Sequence, residues 1–494
     1  VSVRLIRFAQ CAAPALALLF AGCVVGPSFT RPAAPSASYP PQSLAPTTAT
    51  TGLAGGEAQQ FDAGEDIPAD WWRLFHSADL NALVERALAA NPDLKAARAA
   101  LTAAHESTLA QRGAYFPAVT GSFSASRNKS PAGLSPVPSS GALLYSLYTP
   151  EVSVSYAPDV FGLNHRMVEA LAAQEDATRF ELAAARITMS TNVVLAAIGQ
   201  ASIRGQIEAT HALIELDTRA LAMLRRQLAG GYVGRLDVEA QEAQLAQQAA
   251  TLPPLLQQLA LENDLLAALT GSAPQVTPPA ALELAQLELP QQLPVSLPSQ
   301  LIEQRPDVRQ AEANLHAASA AVGVAIANRL PNLTLTADLG DSALALNQLF
   351  APGTGFWDLG AGLTAPVFAG GTLLHRQRAA QAAFEQAREQ YRSTVLRALE
   401  NVADTLSALR HDADTLAATA AAEAAARTTL ELVQRQQQAG YAGYLQLLSA
   451  EQSYQQALLG RVQAQASRYA DTAALFQALG GGWWNLPRSE LDPR

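Results

Sequence analysis

The sequence predicts a mixed α/membrane-β fold with an internal two-fold repeat, in which long coiled-coil helical hairpins alternate with pairs of amphipathic strands. Three observations carry this expectation. Arg305-Pro306-Asp307-Val308 echoes Asn91-Pro92-Asp93-Leu94, and Pro331 echoes Pro117, both at an offset of 214 residues. Gly231-Tyr232-Val233-Gly234 returns as Gly440-Tyr441-Ala442-Gly443 at an offset of 209. The unit is too long for a solenoid repeat, so the chain reads as two similar halves. Between the repeated motifs lie short segments that alternate apolar and small polar residues, followed by stretches of helical periodicity without Gly or Pro for tens of residues.

The elements follow in chain order. Residues 1–22 are expected to be a lipoprotein signal peptide, with Arg4 and Arg7 ahead of the apolar run Phe8 to Phe20 and small residues directly before Cys23. Cleavage there would leave Cys23 as the lipidation site and remove Cys11, so the mature chain could form no internal disulfide. Several acyl chains on one cysteine anchor a protein stably to a membrane. Residues 23–68 are expected to be a lipid-anchored Pro/Ser/Thr-rich tether, with regular structure starting near Trp71-Trp72 and Asp79 capping a short helix.

Residues 69–275 form repeat 1. Pro92-Asp93 opens a helix that runs to about Gly113, and strands follow at 117–127 and 150–158, with Asn128 to Pro150 as an exposed loop. A long helix, Asn164 to Ala229, ends at glycine and returns as Arg235 to Thr270, where Pro253-Pro254 is expected to kink or break it. A Pro-rich inter-repeat linker is expected at 276–300. Repeat 2, 301–482, has strands at 331–340 and 357–366 and the helical pair Thr372 to Ala439 and Tyr444 to Leu479; residues 483–494 are a C-terminal tail. A helix of that length would span ~100 Å. Its Ala-rich faces have no core of their own and must pack on neighbours as a coiled coil.

Strands with one apolar face and one small polar face fit a transmembrane barrel. Alternation alone fits a soluble sheet with one wet face equally well; the expected lipid anchor and the long helices favour the barrel. No segment after the first 25 residues is expected to be a membrane-spanning helix. Four strands cannot close a barrel, and open edges cannot face lipid because their N–H and C=O groups would have no partners. Copies of the chain can supply the missing strands. Two copies give eight strands and a filled interior, three give twelve and room for a channel, and larger rings remain open.

Composition narrows the function. Hydrophobic residues make up 49 % of the 494 residues, aromatic 6 % and charged 15 %, with a net charge of −10. A negative chain is a poor match for nucleic acid. The seven His are scattered without ligand spacing, so neither metal nor other cofactor is expected beyond covalent lipid on Cys23. Gly480-Gly481-Gly482 lacks the Lys-Ser/Thr of a phosphate loop and reads as a helix terminator. No nucleophile–base pair points to an enzyme.

Several strings taken together resemble the TolC-like outer-membrane efflux lipoproteins across nearly the whole mature chain. They are Cys23-Val24-Val25-Gly26-Pro27, Asp70-Trp71-Trp72-Arg73-Leu74-Phe75, Gln304-Arg305-Pro306-Asp307-Val308-Arg309-Gln310-Ala311-Glu312, Ala365-Pro366-Val367-Phe368-Ala369-Gly370-Gly371 and Ala478-Leu479-Gly480-Gly481-Gly482-Trp483. The resemblance implies a homotrimer whose strands complete a 12-stranded transmembrane β-barrel and whose hairpins form a trimeric α-barrel tunnel in the periplasm. It implies a passive exit duct in the outer membrane for small toxic compounds, served by a periplasmic adaptor protein and an inner-membrane pump of the RND type or similar. Two alternatives stand beside it: an exit duct for protein or oligosaccharide secretion, and a structural envelope lipoprotein without a pore.

The resemblance also implies that the adaptor engages the tip turns Gly230, Gly231, Tyr232, Gly234 and Gly440, Tyr441, Gly443. In relatives an apolar ring and an acidic ring close the tip just after the second turn. Here Leu445 matches the apolar ring, with Gln446 beside it, and Ser449 stands where Asp is common. Asp237 matches the family's Leu-Asp-Val after the first turn. Three Asp at ~6 Å would repel by ~3 kcal/mol per pair at an effective dielectric of ~20, and three Ser would not. A tip held shut by Leu445 packing is therefore expected to conduct in a planar bilayer without strong block by micromolar trivalent cations, unless Asp237 lines the pore.

Overall fold

The computed structural model describes residues 24–33, 44–50, 52–131, 143–274, 282–296 and 298–492. The expected signal peptide and Cys23 lie outside these residues, as does most of the loop between the first two strands. The chain divides into two compact units, one of Val1–Arg31, Thr102–Ala177 and Ala311–Tyr391, the other of Pro32–Leu101, Thr178–Gln310 and Arg392–Arg494.

The helices are α1 Ala78–Ala90, α2 Pro92–Arg112, α3 Leu163–Ala229, α4 Arg235–Leu269, α5 Pro298–Gln304, α6 Pro306–Ala327, α7 Thr372–Gln438 and α8 Tyr444–Ala478. The strands are β1 Gln60–Ala63, β2 Ala118–Ser130, β3 Leu143–Tyr156, β4 Gln292–Val295, β5 Asn332–Asp341 and β6 Gly355–Thr364. The order α2-β2-β3-α3-α4 thus recurs as α6-β5-β6-α7-α8. The helices α3 and α7 are each 67 residues long, and α4 and α8 each 35.

In the first unit β2, β3, β5 and β6 form one antiparallel sheet in that order, leaving β2 and β6 as its edges. The register aligns like with like. Val154 pairs with Val119 on one side and Ala337 on the other, and Leu339 pairs with Val152 and Trp357. Because side chains alternate between faces, Val119, Phe123, Val152, Leu335, Leu339, Trp357, Leu359 and Leu363 share one face, and all are exposed. The other face carries Ser122, Ser124, Thr336, Asp338 and Gly360.

The first two strands are longer than the alternation suggests. The first runs to Ser130 rather than 127, and the second starts at Leu143 rather than 150 and ends at Tyr156, so the loop expected at Asn128 to Pro150 shrinks. Pro150, expected where the loop meets the second strand, lies well inside that strand and pairs with Phe123. It falls between the Glu151–Gly340 pair and the isolated Tyr148–Ala343 bridge, where the ladder to β5 is interrupted. That is a place where a residue without an N–H is tolerated. The later strands, expected at 331–340 and 357–366, lie at Asn332–Asp341 and Gly355–Thr364.

In the second unit both repeats tie the end of the return helix to the start of a short one. The Asn91 side chain accepts from the Asp93 and Leu94 N–H groups (2.8 and 3.3 Å) to cap α2, and its amide donates to the Leu269 carbonyl at the end of α4 (3.0 Å). In repeat 2 Arg305 takes that place, donating to both Asp307 carboxylate oxygens (3.0 and 2.7 Å) and to the Ala478 carbonyl at the end of α8 (2.8 Å). A helix end leaves its last carbonyls without intrahelical partners, and the duplication solves this twice with different side chains.

Several local expectations are corrected. Ser77, not Asp79, caps α1, its hydroxyl accepting from the Leu80 N–H at 3.3 Å; Asp79 sits in the first turn. The helix α4 continues through Pro253 and Pro254 rather than breaking there, with both prolines on its exposed surface. One 18-residue window of α3 is apolar enough to span a membrane, contrary to the reading of the sequence. Just over half of that window is buried, and Val193, Val194, Ala197 and Ile198 join the core, so it is a packed helix.

The supposed tether, linker and tail are all packed where they are described. In the first unit Arg166 donates to the Val25 and Gly26 carbonyls (2.9 and 3.2 Å), and Phe29 stacks on His316 at 4.4 Å. In the second unit β1, inside the expected tether, pairs in parallel with β4, inside the expected linker. The buried Gln59 side chain donates to the Pro290 carbonyl and the Thr472 hydroxyl (3.1 and 3.0 Å). Leu282, Leu284, Leu287, Leu289, Leu293 and Val295 of the linker are core residues with Trp71, Trp72, Phe75, Tyr469 and Phe476. In the tail the Trp484 indole and the Asn485 amide donate to the Asp66 carboxylate, each at 2.8 Å. These segments lack regular periodicity, so their order comes from individual partners rather than from a repeating pattern.

Candidate functional site

The tip turns in the second unit repeat one geometry. After α3 the Tyr232 N–H donates to the Gln227 carbonyl (2.9 Å) and the Gly231 N–H to Leu228 (3.0 Å). After α7 the Tyr441 N–H donates to Gln436 (2.8 Å) and the Gly440 N–H to Gln437 (3.0 Å). These crossed bonds satisfy the last helical carbonyls and need one left-handed residue. That residue is Gly231 (φ 76°) in the first turn and Gly440 (φ 80°) in the second. Gly230 is not left-handed, and its counterpart in the repeat is Ala439.

Each return helix then starts the same way. The Asp237 carboxylate accepts from the Gly234 N–H at 3.0 Å, and the Gln446 side-chain oxygen accepts from the Gly443 N–H at 3.3 Å. Asp237 and Gln446 are separated by the repeat offset of 209 and do the same work, satisfying a free donor at a helix start. An acid there also faces the positive end of the helix dipole. Arg235 pairs with Glu239 (3.1 Å) and Arg225 with Glu242 (2.7 Å) on exposed faces.

The structure leaves the remaining tip residues open to solvent. Tyr232 and Tyr441 are 85 % and 87 % exposed, Leu236 and Leu445 79 % and 73 %. Leu445 and Ser449 lie four residues apart, on one exposed face of α8. Asp237 is half-buried and its carboxylate is engaged with the Gly234 N–H.

Behind the tips lies a polar network that sequence reasoning missed. Tyr444, the first residue of α8, is buried, and its hydroxyl donates to the Gln241 side-chain oxygen of α4 at 2.6 Å. The Gln241 amide donates to the carbonyl and carboxylate of Asp217 on α3, both at 3.3 Å. Asp217 is 4 % exposed, and burial raises its carboxyl above the usual range although the Gln241 bond opposes this. Glu451 on α8 is 3 % exposed; burial, with Asp217 adding repulsion, pushes it up to about 7. The signal was faint: an acid on an otherwise apolar helical stripe, visible only once the facing helix is known.

A four-stranded sheet with an exposed apolar face and duplicated helical hairpins with matched tip turns are the parts of a channel-type fold. Comparison with known proteins agrees. The sequence matches the outer membrane efflux protein family over residues 83–272 and 297–481, and the chain belongs to that family. It is 29 % identical over 445 residues to the pyoverdine export outer membrane protein OpmQ of Pseudomonas putida, covering 89 % of this chain and 94 % of that protein. It is 28 % identical over 483 residues to the toluene efflux pump outer membrane protein TtgC of Pseudomonas putida, covering 95 % and 94 %. The solved structure of the outer-membrane channel OprN superposes with a TM-score of 0.84 at 26 % identity, covering 93 % of this chain and all of that one.

The turn geometry yields a direct test. An L-residue in the left-handed region costs roughly 1–2 kcal/mol, so Gly231→Ala and Gly440→Ala are each expected to lower the melting temperature of the detergent-solubilised protein. Gly230→Ala is expected to leave it within error, since the added methyl would press on the exposed Tyr232 ring, which can swing into solvent, and would otherwise meet the Gln227 carbonyl at ordinary contact distance. Equal losses for Gly230→Ala and Gly231→Ala would contradict the assignment.

Proposed function

We propose that the chain is the outer-membrane duct of a tripartite efflux system, assembled as a homotrimer and passive in itself. The observation that carries this is the four-stranded sheet whose two edges are unpaired among the described residues and whose one face is apolar and exposed. Those edges are incompatible with lipid in a single chain. Three copies joined edge to edge would give twelve strands and an open lumen. The names of the relatives support export of small compounds, pyoverdine for one and toluene for the other.

In this reading the strands cross the outer membrane, the helical hairpins extend into the periplasm, and Cys23 carries the lipid that fixes the chain to the membrane. The periplasmic adaptor meets the tip turns around Gly231 and Gly440, where Tyr232 and Tyr441 project. An inner-membrane pump of the RND type or similar supplies the energy. Leu445 from each copy packs at the closed tip, with Ser449 and Gln446 beside it, and Asp237 serves its helix start. The duplicated hairpins give six quasi-equivalent docking positions around three copies, which suits an adaptor ring.

Native mass spectrometry of the detergent-solubilised chain is expected to show trimers; a stable monomer that stays soluble without detergent would overturn the proposal. Deletion of the gene is expected to raise susceptibility to toxic small molecules or solvents while leaving protein and oligosaccharide export unchanged. The reverse outcome would favour a secretion duct.

A further inference from the structure

Glu451 is the least accommodated charged group near the hairpin tips. It lies eight residues past the Gly443 cap, ~12 Å along α8. Its side chain is buried, and neither carboxylate oxygen has a hydrogen-bond partner. A buried carboxylate without donors is costly when ionised and far less so when protonated.

The surroundings explain why it matters. The helix α3 presents Asp217, a second buried acid and the neighbouring charge that acts on Glu451. The helix α4 presents neutral amides: Gln241 bridges Asp217 to Tyr444, and Gln244 accepts from the Gln452 amide at 3.1 Å. Asp237 of α4 and Glu451 both act on the Tyr444 hydroxyl, which burial, the largest cause, holds protonated. The helix α7 presents Leu430, packed with Leu447 and Ala450, and a charged pair, Glu423 and Arg427, that is engaged with Arg461 and Tyr454. No cation among these is bonded to Glu451.

We infer that Glu451, with Asp217 and the Gln241–Tyr444 bridge, forms a proton-operated latch between the α3–α4 and α7–α8 hairpins just behind their turns. Protonated, Glu451 lets the hairpins pack; ionised, it confronts Asp217 in a dry interface and drives them apart toward water. The latch goes beyond the duct reading and rests on it only for its use, which would be to link tip opening to the pH around the hairpins.

The direction follows from linkage. The packed state holds Glu451 at about 7, whereas a hydrated carboxyl in the parted state returns toward its ordinary 4.5. The packed state therefore has its full advantage below 4.5, loses it by up to about tenfold per pH unit as pH rises to about 7, and loses no more above that.

The test uses the full chain with Tyr232→Cys and Tyr441→Cys carrying spin labels, diluted with unlabelled copies, and reads the distance between labels from pH 4 to pH 9. A long-distance population is expected to grow with pH and level off near 7. With Glu451→Gln the short distance is expected at every pH. With Asp217→Asn the long-distance population is expected to be smaller than in the parent throughout the range, with any remaining transition moved to higher pH, because an ionised Glu451 no longer faces a like charge; this variant decides the matter if Glu451→Gln does not fold. No change with pH in the parent, or an unchanged transition in Glu451→Gln, overturns the latch. Conductance of the same preparation at one fixed pH reads the duct separately: conduction without label movement sinks the latch alone, and label movement without conduction sinks the duct alone.

Discussion

The unsatisfied edges of one small sheet govern the rest of the molecule. Among the described residues the outer edges of β2 and β6 each present a row of N–H and C=O groups with no strand partner, beside a face of Val, Leu, Phe and Trp that water does not favour. Water can solvate such edges and lipid can solvate such a face, but neither solvent suits both. Edge pairing between copies answers both demands, and the proposed trimer is the smallest ring that leaves a lumen. Duplication matters for the same reason. Each half contributes two strands and one hairpin, so both the sheet and the helical ring can be completed by one symmetry operation.

The duplicated hairpins show which features of the repeat are fixed by geometry and which are free. The left-handed glycine of the turn is retained in both copies, Gly231 and Gly440, because the crossed carbonyl bonds require it. The residue before it differs, Gly230 against Ala439, and nothing in the turn depends on it. At the helix start Asp237 and Gln446 differ in charge but present an acceptor at the same distance along the chain. The same latitude appears at the far ends of the hairpins, where Asn91 and Arg305 hold equivalent carbonyls by different chemistry. At both pairs of positions the two halves differ in side chain while an equivalent backbone group keeps a hydrogen-bond partner.

Much of the second unit is ordered by contacts that have no sequence period. The parallel pair β1–β4 joins segments more than two hundred residues apart, and each strand alone is four residues long. Neither would be stable in isolation. Trp71 stacked on Phe476 at 5.2 Å and the fully buried Arg468, which donates to the Thr47 hydroxyl at 3.1 Å, show how far the N-terminal segment is built into the core. The Leu-x-Leu spacing at Leu282, Leu284, Leu287 and Leu289 was the available clue that the linker is not loose, and its prolines masked it.

By itself the sequence determined the duplication, the four strands and their faces, the long helices and the two tip turns. These depend on local pattern: period two, period 3.6 and glycine at a forced left-handed turn. Tertiary structure alone decided the extension of β2 and β3, the passage of α4 through Pro253-Pro254, the docking of the expected tether, linker and tail, and the meeting of Asp217, Gln241, Tyr444 and Glu451. Except for the exposed prolines of α4, each of these depends on partners elsewhere in the chain. A carboxyl such as Glu451 looks like any helix-face acid until the opposite helix removes its water, and that removal is a property of packing.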